Sequence, residues 1–240
     1  MILTRVFPGP PDPIELSWDD SRSRLAELYR PPRADWLRLN LVASVSGSAT
    51  GSDGTSESIT VGADRVLLGV IRGLADAVVV GASSVRAEGY FVPRAAALAV
   101  VTRTGELSGH RITSGGPRGP LLILCPAAAA ERARTTVGVA EAQIIPVPDA
   151  DGWLAAADIV GALRANGYAS LVSEGGPQLA RHLLLGGVVD ELCLSTSPTL
   201  NGAGVPIFGG TEFDALPLAL AQLMVDDASG VYARWRLTAG

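Results

Sequence analysis

Histidine and cysteine are nearly missing from this chain of 240 residues, which holds two of each. Two histidines, His110 and His182, give no basis for an imidazole-built metal site, so no metal is expected. Cys125, in LLILCP, and Cys193, in ELCLS, lie in apolar runs with no CxxC partner. They read as buried free thiols of a reducing cytoplasm, not as a disulfide or a nucleophile. Aromatic residues make up only 5% of the chain, which leaves the core to Val, Leu, Ile and Ala. No run approaches the roughly 18 uncharged apolar residues of a membrane span. The start, MILTRVFPGPPDP, is too short and too proline-rich for a secretory signal. A cytoplasmic protein away from membranes is therefore expected. Nor is there a basic excess: 19 Lys and Arg stand against 24 Asp and Glu, a net charge of −5, which disfavours nucleic acid as a partner. With acid–base side chains so scarce, an enzyme on this chain needs a cofactor to carry its chemistry.

What the chain does have is glycine (28), proline (16) and a hydrophobic fraction of 48%, enough for one large domain with many short loops. Residues 1–35 look irregular, with PGPPDP and RPPRAD bracketing a short helix around Asp19–Tyr29, and form an N-terminal arm. From Trp36 the pattern alternates. WLRLNLVAS is a strand. GADRVLLGVIRGLA puts Val66, Leu67, Val70, Ile71 and Leu74 on one helical face. DAVVVGA, LAVVTR and PLLILCP have the continuous apolar character of parallel strands. A helix near Ala127–Thr136 and the strand AQIIPV follow. Asp151 caps a helix running to Asn166, ended by Gly167. ASLVSE is a strand, and Pro177–Gly186 a helix with Leu179, Leu183 and Leu184 inward. VDELCLSTSPTL is one long strand, and the C-terminal section is an antiparallel hairpin around DDASG. The fold class is thus α/β: a mostly parallel central sheet with helices on both faces and an antiparallel C-terminal hairpin, over a single domain at 36–240.

Three glycine-bearing segments compete as ligand sites. NGAGVPIFGG (201–210) contains GxG but lacks the strand–turn–helix context of a dinucleotide fingerprint, and reads as a loop. There is no GxxxxGK[ST]. In VVVGASSVRAEGY a buried strand ends at Gly81, and Ser83 and Ser84 open a helical turn; ligands of open α/β sheets gather beyond such strand ends. An ordinary capped helix is the other reading. In LVSEGGPQLARHL, Gly175 and Gly176 let backbone approach a ligand and Pro177 suits a first helical turn. The N–H groups from Gln178 onward then make a site for phosphate over Gly176, Pro177, Gln178, Leu179, Ala180 and Arg181. Like charge keeps Glu174 off that phosphate, so it faces a hydrogen-bond donor such as an aminopyrimidine or a ribose hydroxyl. Alternatively it caps backbone N–H groups.

Several segments together resemble one family, the reductase domain of riboflavin biosynthesis, whose fold is dihydrofolate-reductase-like. They are NLVASVSG (40–47), SITVGADRVLLGVIRGLADAVVVGASSVRAEGYFVPR (58–94) and LVSEGGPQLARHLLLGGVVDELCLSTSPTLNGAG (171–204). The resemblance implies NADPH touched by Ala43 and Ser84, with its phosphates on Gly176 to His182. It places Ser56, Arg72, Arg94 and Glu174 at or near substrate, and Glu88 where the family has Asp beside nicotinamide and substrate. It also implies a cis Gly175–Gly176 bond. Ser46 departs from the family's Asp and Ser58 from its aromatic residue. The zinc-binding deaminase pattern that accompanies such domains finds no match in these residues.

The implied activity is hydride transfer from NADPH to the anomeric carbon of a ribosylaminopyrimidine phosphate, with Glu88 and Glu174 as catalytic carboxyl groups. Reduction of a dihydropterin on the same fold, and non-catalytic nucleotide binding, are the alternatives. Long apolar strands near the C-terminus, which a lone domain would expose at an edge, point to a homodimer.

Overall fold

The computed structural model describes residues 1–17, 19–113, 118–202 and 204–238. In chain order the elements are β1 (Ile2–Phe7), β2 (Asp12–Glu15), α1 (Asp19–Leu28), β3 (Leu37–Ser44), α2 (Asp64–Gly73), β4 (Ala77–Gly81), α3 (Ala82–Ala87), β5 (Gly89–Phe91), β6 (Ala97–Val101), β7 (Arg111–Thr113), β8 (Leu121–Cys125), α4 (Ala130–Val137), β9 (Gln143–Pro146), α5 (Ala156–Ala165), β10 (Leu171–Gly175), α6 (Pro177–Leu185), β11 (Glu191–Ser197), β12 (Leu218–Asp226) and β13 (Val231–Leu237). The class is the one the sequence predicts: mixed α/β, mostly parallel, with an antiparallel strand group.

The chain forms two compact units. One comprises Met1–Pro32, Arg38–Leu74 and Val189–Gly240; the other Arg33–Leu37 and Ala75–Val188. In the second unit the strand order is β10-β4-β6-β8-β9, parallel throughout. These strands are apolar runs because both faces are covered: Val78, Val80, Leu98, Val100, Leu122 and Leu124 are all fully buried. The order starts at β4 and moves outward through β6, β8 and β9, then β10 returns to the other side of β4. The turns after β4 and β10 therefore flank a topological switch point, the place where ligands lodge in such sheets.

In the first unit the order is β2-β1-β12-β13-β11-β3. β11 and β3 run parallel, while β11–β13, β12–β13, β1–β12 and β1–β2 are antiparallel. Helix α2 buries Leu67, Val70 and Ile71, worth about 1.5–3 kcal/mol each. A fully buried Glu191 lies between Arg38, paired through Nε, and Arg234, whose Nη2 is 2.7 Å away. The same guanidinium groups donate to the carbonyls of Tyr29 and Leu28 at the end of α1.

Four readings of the sequence differ from what is observed. Residues 1–35 are not irregular: β1 pairs with β12, Leu3 opposite Asp226, and β2 pairs with β1. The helix expected from Asp151 starts at Ala156, because Asp151 adopts φ 51° in a turn that Gly152 closes on Asp149 at 2.8 Å. Its far end is as expected, with Gly167 at φ 90° and Tyr168 donating to Leu163 at 3.1 Å. The long strand from Val189 stops at Ser197, where Pro198 has no N–H to continue a ladder. On α6 the inward residues are Ala180, Leu183 and Leu184, with Leu179 only half-buried. Both cysteines are buried and free; burial and the neighbouring Glu191 carboxylate push the Cys193 thiol up to about 12, so it stays protonated.

Candidate functional site

The turns after β4 and β10 meet within the second unit. Gly81 ends β4, and α3 begins at once with Ala82, Ser83 and Ser84. The Ser84 hydroxyl donates to the carbonyl of Gly175 at 2.8 Å, which fastens one turn to the other. A Cβ on Gly81 would stand 3.6 Å from that same carbonyl and 3.9 Å from Leu179 Cβ. Gly175 and Gly176 have φ of 56° and 87°, the left-handed region that side chains disfavour. A Cβ on Gly176 would be 2.4 Å from Ser84 Oγ, and one on Gly175 would be 3.3 Å from Ala180 Cβ.

The two glycines answer a local demand. β10 bulges between Ser173 and Gly175 and must then turn sharply into α6, which two consecutive left-handed residues achieve. The expected cis Gly175–Gly176 bond is not formed: among the described residues the cis bond is Phe7–Pro8, and positive φ at both glycines makes the turn instead. Pro177 takes the first helical position, Gly176 is an N-cap with no side-chain cap, and no acidic residue lies in the first turn. The N–H groups of Gln178 and Leu179 are thus the leading donors of α6, while Ala180 N–H closes on Gly176 at 3.0 Å. His182 is turned elsewhere. Its Nε2 bonds the carbonyl of Leu154 at 2.7 Å, and its ring meets the edge of Trp153 at 4.8 Å.

Gly81, Ser83, Ser84, Gly175, Gly176, Pro177, Gln178, Leu179, Ala180 and Arg181 thus lie on the two joined turns and the first helical turns they open. Glu174 is half-buried at the bulge. Glu88 follows α3, its N–H donating to Ser84 O at 2.8 Å, and Arg94 is exposed in the segment after β5. Ala43, Ser56 and Arg72 belong to the first unit. Ala43 is buried in β3 opposite Thr196 of β11, Ser56 precedes the 3-10 turn Glu57–Ile59, and Arg72 is in the last turn of α2.

The first unit also holds a cleft of about 310 Å3 between segments 51–59 and 199–202, whose wall at Asn201 and Gly202 belongs to the segment the sequence reads as a loop. The loop around Asn201 closes on the segment after β3: Asn201 N–H donates to Ser46 Oγ at 2.9 Å, Ser46 Oγ donates back to Asn201 O at 3.1 Å, and Asn201 Nδ2 donates to Thr50 O at 2.8 Å. Ser46, the departure from the family's Asp, is thus a loop latch. Its pairing across 155 residues has no local sequence signal.

A parallel switch point with two glycine turns, accompanied by an antiparallel C-terminal strand group, defines a dihydrofolate-reductase-like α/β protein. The chain belongs to the RibD C-terminal domain family, the reductases of riboflavin biosynthesis, whose family model matches residues 35–231. Solved structures show the same fold. A pyrimidine reductase-like protein from Corynebacterium diphtheriae is 23% identical with a TM-score of 0.66, over 86% of this chain and 93% of that one. A Thermotoga maritima diaminohydroxyphosphoribosylaminopyrimidine deaminase/5-amino-6-(5-phosphoribosylamino)uracil reductase is 17% identical with a TM-score of 0.70, over 91% of this chain but only 62% of that one. The riboflavin biosynthesis reductase Rib7 of Saccharomyces cerevisiae is 14% identical with a TM-score of 0.64, over 90% and 98%. No curated protein matches the chain. Among the described residues, no helix is long and apolar enough to cross a membrane.

Proposed function

We propose that residues 36–240 form a cytoplasmic, NADPH-dependent reductase that acts on a ribosylaminopyrimidine phosphate. The observation that carries this reading is the pair of glycine turns joined by Ser84 at the switch point of the parallel strands. The residues fit the cofactor's phosphates. Glycine at 176 lets Ser84 lie against the turn, where a Cβ would collide with its Oγ, and the start of α6 offers backbone N–H groups with neither a side-chain cap nor an acidic residue. Gly176 to Arg181 would hold the phosphates; Gly81, Ser83, Ser84 and Ala43 would line the remainder of the cofactor. NADPH, when bound, supplies the hydride.

The reaction adds hydride to the ribosyl anomeric carbon, breaks that carbon's bond to the ring oxygen, and leaves the oxygen to take a proton. The product is a ribityl chain. The work assigned to this chain is orientation and proton handling. Glu174 would accept hydrogen bonds from the amino edge of the substrate, Glu88 would hold or pass the proton, Arg72 and Arg94 would bind the substrate phosphate, and Ser56 would contact the substrate. The test is NADPH consumption by purified protein with 5-amino-6-(5-phosphoribosylamino)uracil and with dihydropterins. Turnover with the pyrimidine alone is expected. Turnover with dihydropterin alone would replace the substrate assignment, and NADPH binding without turnover of either would overturn the enzymatic reading.

A further inference from the structure

The run from the end of β3 to the start of α2 carries Ser56, and its place is fixed from outside. Residues 51–58 are tied to one another: Gly51 N–H donates to Thr55 O at 2.9 Å, and Asp53 accepts from the Ser58 hydroxyl and from Thr55 N–H. A piece closed on itself keeps its shape, so its two ends decide where it sits. The near end rests on another loop: Ala49 N–H donates to Val205 O at 2.7 Å, and Asn201 Nδ2 to Thr50 O at 2.8 Å. The far end is fastened to the terminal hairpin. There Asp226, at the end of β12, divides its carboxylate. Oδ1 accepts from Ala228 and Gly230 within the hairpin turn, whereas Oδ2 accepts from the N–H of Ala63 at 2.8 Å, across 163 residues. The Tyr232 hydroxyl of β13 donates to the same Oδ2 at 2.6 Å, with the N–H of Ala63 at 2.9 Å and the carbonyl of Val61 at 3.2 Å.

The contact is built for closeness. Gly62 has φ 56°, and a Cβ there would stand 1.9 Å from Asp226 Oδ2 and 2.8 Å from Tyr232 Oη, so glycine lets the carboxylate lie against the backbone. Ala63 is fully buried, Tyr232 is 2% exposed and Asp226 9%, so a hydrogen bond lost here leaves a donor with no water to replace it. From the clamp to Ser56 is one tight turn: Thr60 Oγ1 donates to Ser56 O at 2.9 Å, and Ile59 N–H to the same oxygen at 3.2 Å. We propose that Asp226 and Tyr232 are positioning residues for the substrate, clamping Val61 to Ala63 on the hairpin and thereby setting where Ser56 meets it. The proposal rests on the reductase reading, which assigns Ser56 to the substrate; both clamp residues act through Ser56 rather than on the reacting atoms.

The test is steady-state kinetics of the full chain with 5-amino-6-(5-phosphoribosylamino)uracil and NADPH, beside backbone hydrogen exchange of segment 57–63 measured without substrate. Asp226→Asn should raise KM for the pyrimidine at least fivefold. Tyr232→Phe, which loses one hydroxyl and keeps its ring, should raise it at least threefold. In both, kcat and KM for NADPH should stay within about twofold, because a misplaced binding group weakens ground state and transition state alike. Exchange in segment 57–63 should quicken at least tenfold in both variants. Gly62→Ala opens the clamp from the other side and should repeat the pattern, so a variant that fails to fold leaves two others to judge. Ile14→Ala, a core truncation in β2 of the same unit, should lower the melting temperature and leave the pyrimidine KM and this exchange unmoved. An unchanged KM in the folded clamp variants, or the same KM rise in Ile14→Ala, would overturn the proposal. A wild-type chain without turnover fails the reductase reading instead. Exchange then decides the clamp, and a segment 57–63 as slow in the variants as in the wild type would overturn it.

Discussion

At Gly176 a side chain meets two obstacles, a φ of 87° and Ser84 Oγ only 2.4 Å from where its Cβ would be. Gly176→Val should therefore displace Ser84 or unwind the turn, and NADPH affinity measured by calorimetry should fall at least tenfold with the fold retained. Unchanged affinity would mean the phosphates lie elsewhere. Glu174 tests the other half of the site. Glu174→Gln keeps the size of the side chain and removes its charge, so turnover should drop at least tenfold, about 1.4 kcal/mol, with NADPH affinity nearly intact. If Glu174 instead caps backbone N–H groups, the variant shows a lower melting temperature and ordinary kinetics. The glycine pair was legible in the sequence because a strand, two glycines, a proline and an amphipathic run are all local. The Asp53–Ser58 and Ser46–Asn201 pairs were not, since loop closure decides them and neither falls on a periodic element.

Among the elements, strands and helices with continuous local patterns were readable: α2, β4, β6, β8 and the terminal hairpin are where the sequence places them. The N-terminal strands were hidden because β1 pairs with β12, more than 200 residues away, and gains its identity from that partner. Two buried carboxylates then bind elements of the first unit together. Asp226, at the end of β12, accepts from the Tyr232 hydroxyl at 2.6 Å and from the N–H groups of Ala63, Ala228 and Gly230 at 2.8–3.0 Å. Burial alone would raise its carboxyl, but these donors outweigh burial and hold it below the ordinary value. A depressed folded value gives stability that is present above the unfolded value, about 3.9, and lost as pH falls through the folded one. Asp226→Asn should lower the melting temperature at neutral pH and flatten its decline below about pH 4; an acid profile identical to wild type would refute this. Glu191 is the second. Burial opposes its charge, yet Arg38 and Arg234 hold its carboxyl low. Glu191→Gln should cost about 3–5 kcal/mol in denaturant unfolding, since it leaves two buried guanidinium groups without their counter-charge, whereas replacing all three residues by Met should cost less. A triple variant weaker than the single one would reverse that ordering.

For the whole molecule, the two units are assembled from three and two separate stretches of chain, so no one boundary in the sequence marks them. Assembly needs a revised argument as well. β11 lies between β13 and β3, so it offers no edge, and β1 covers β12 from Leu223 to Asp226. Of β11, β12 and β13, what remains open, among the described residues, is the outer edge of β12 before Leu223. Leu218 is 41% exposed there and Leu216, just ahead of it, 38%. Bare strand edges with apolar side chains recruit a second strand, and a twofold contact is the commonest way to close one. We propose a homodimer formed across this segment. Light scattering at micromolar concentration should give about twice 24.7 kDa, and Leu218→Lys, which puts a charge on the edge, should give the single-chain mass with NADPH affinity preserved. A wild-type protein of single-chain mass would end the dimer proposal, and a Leu218→Lys protein that stays dimeric would move the interface off β12.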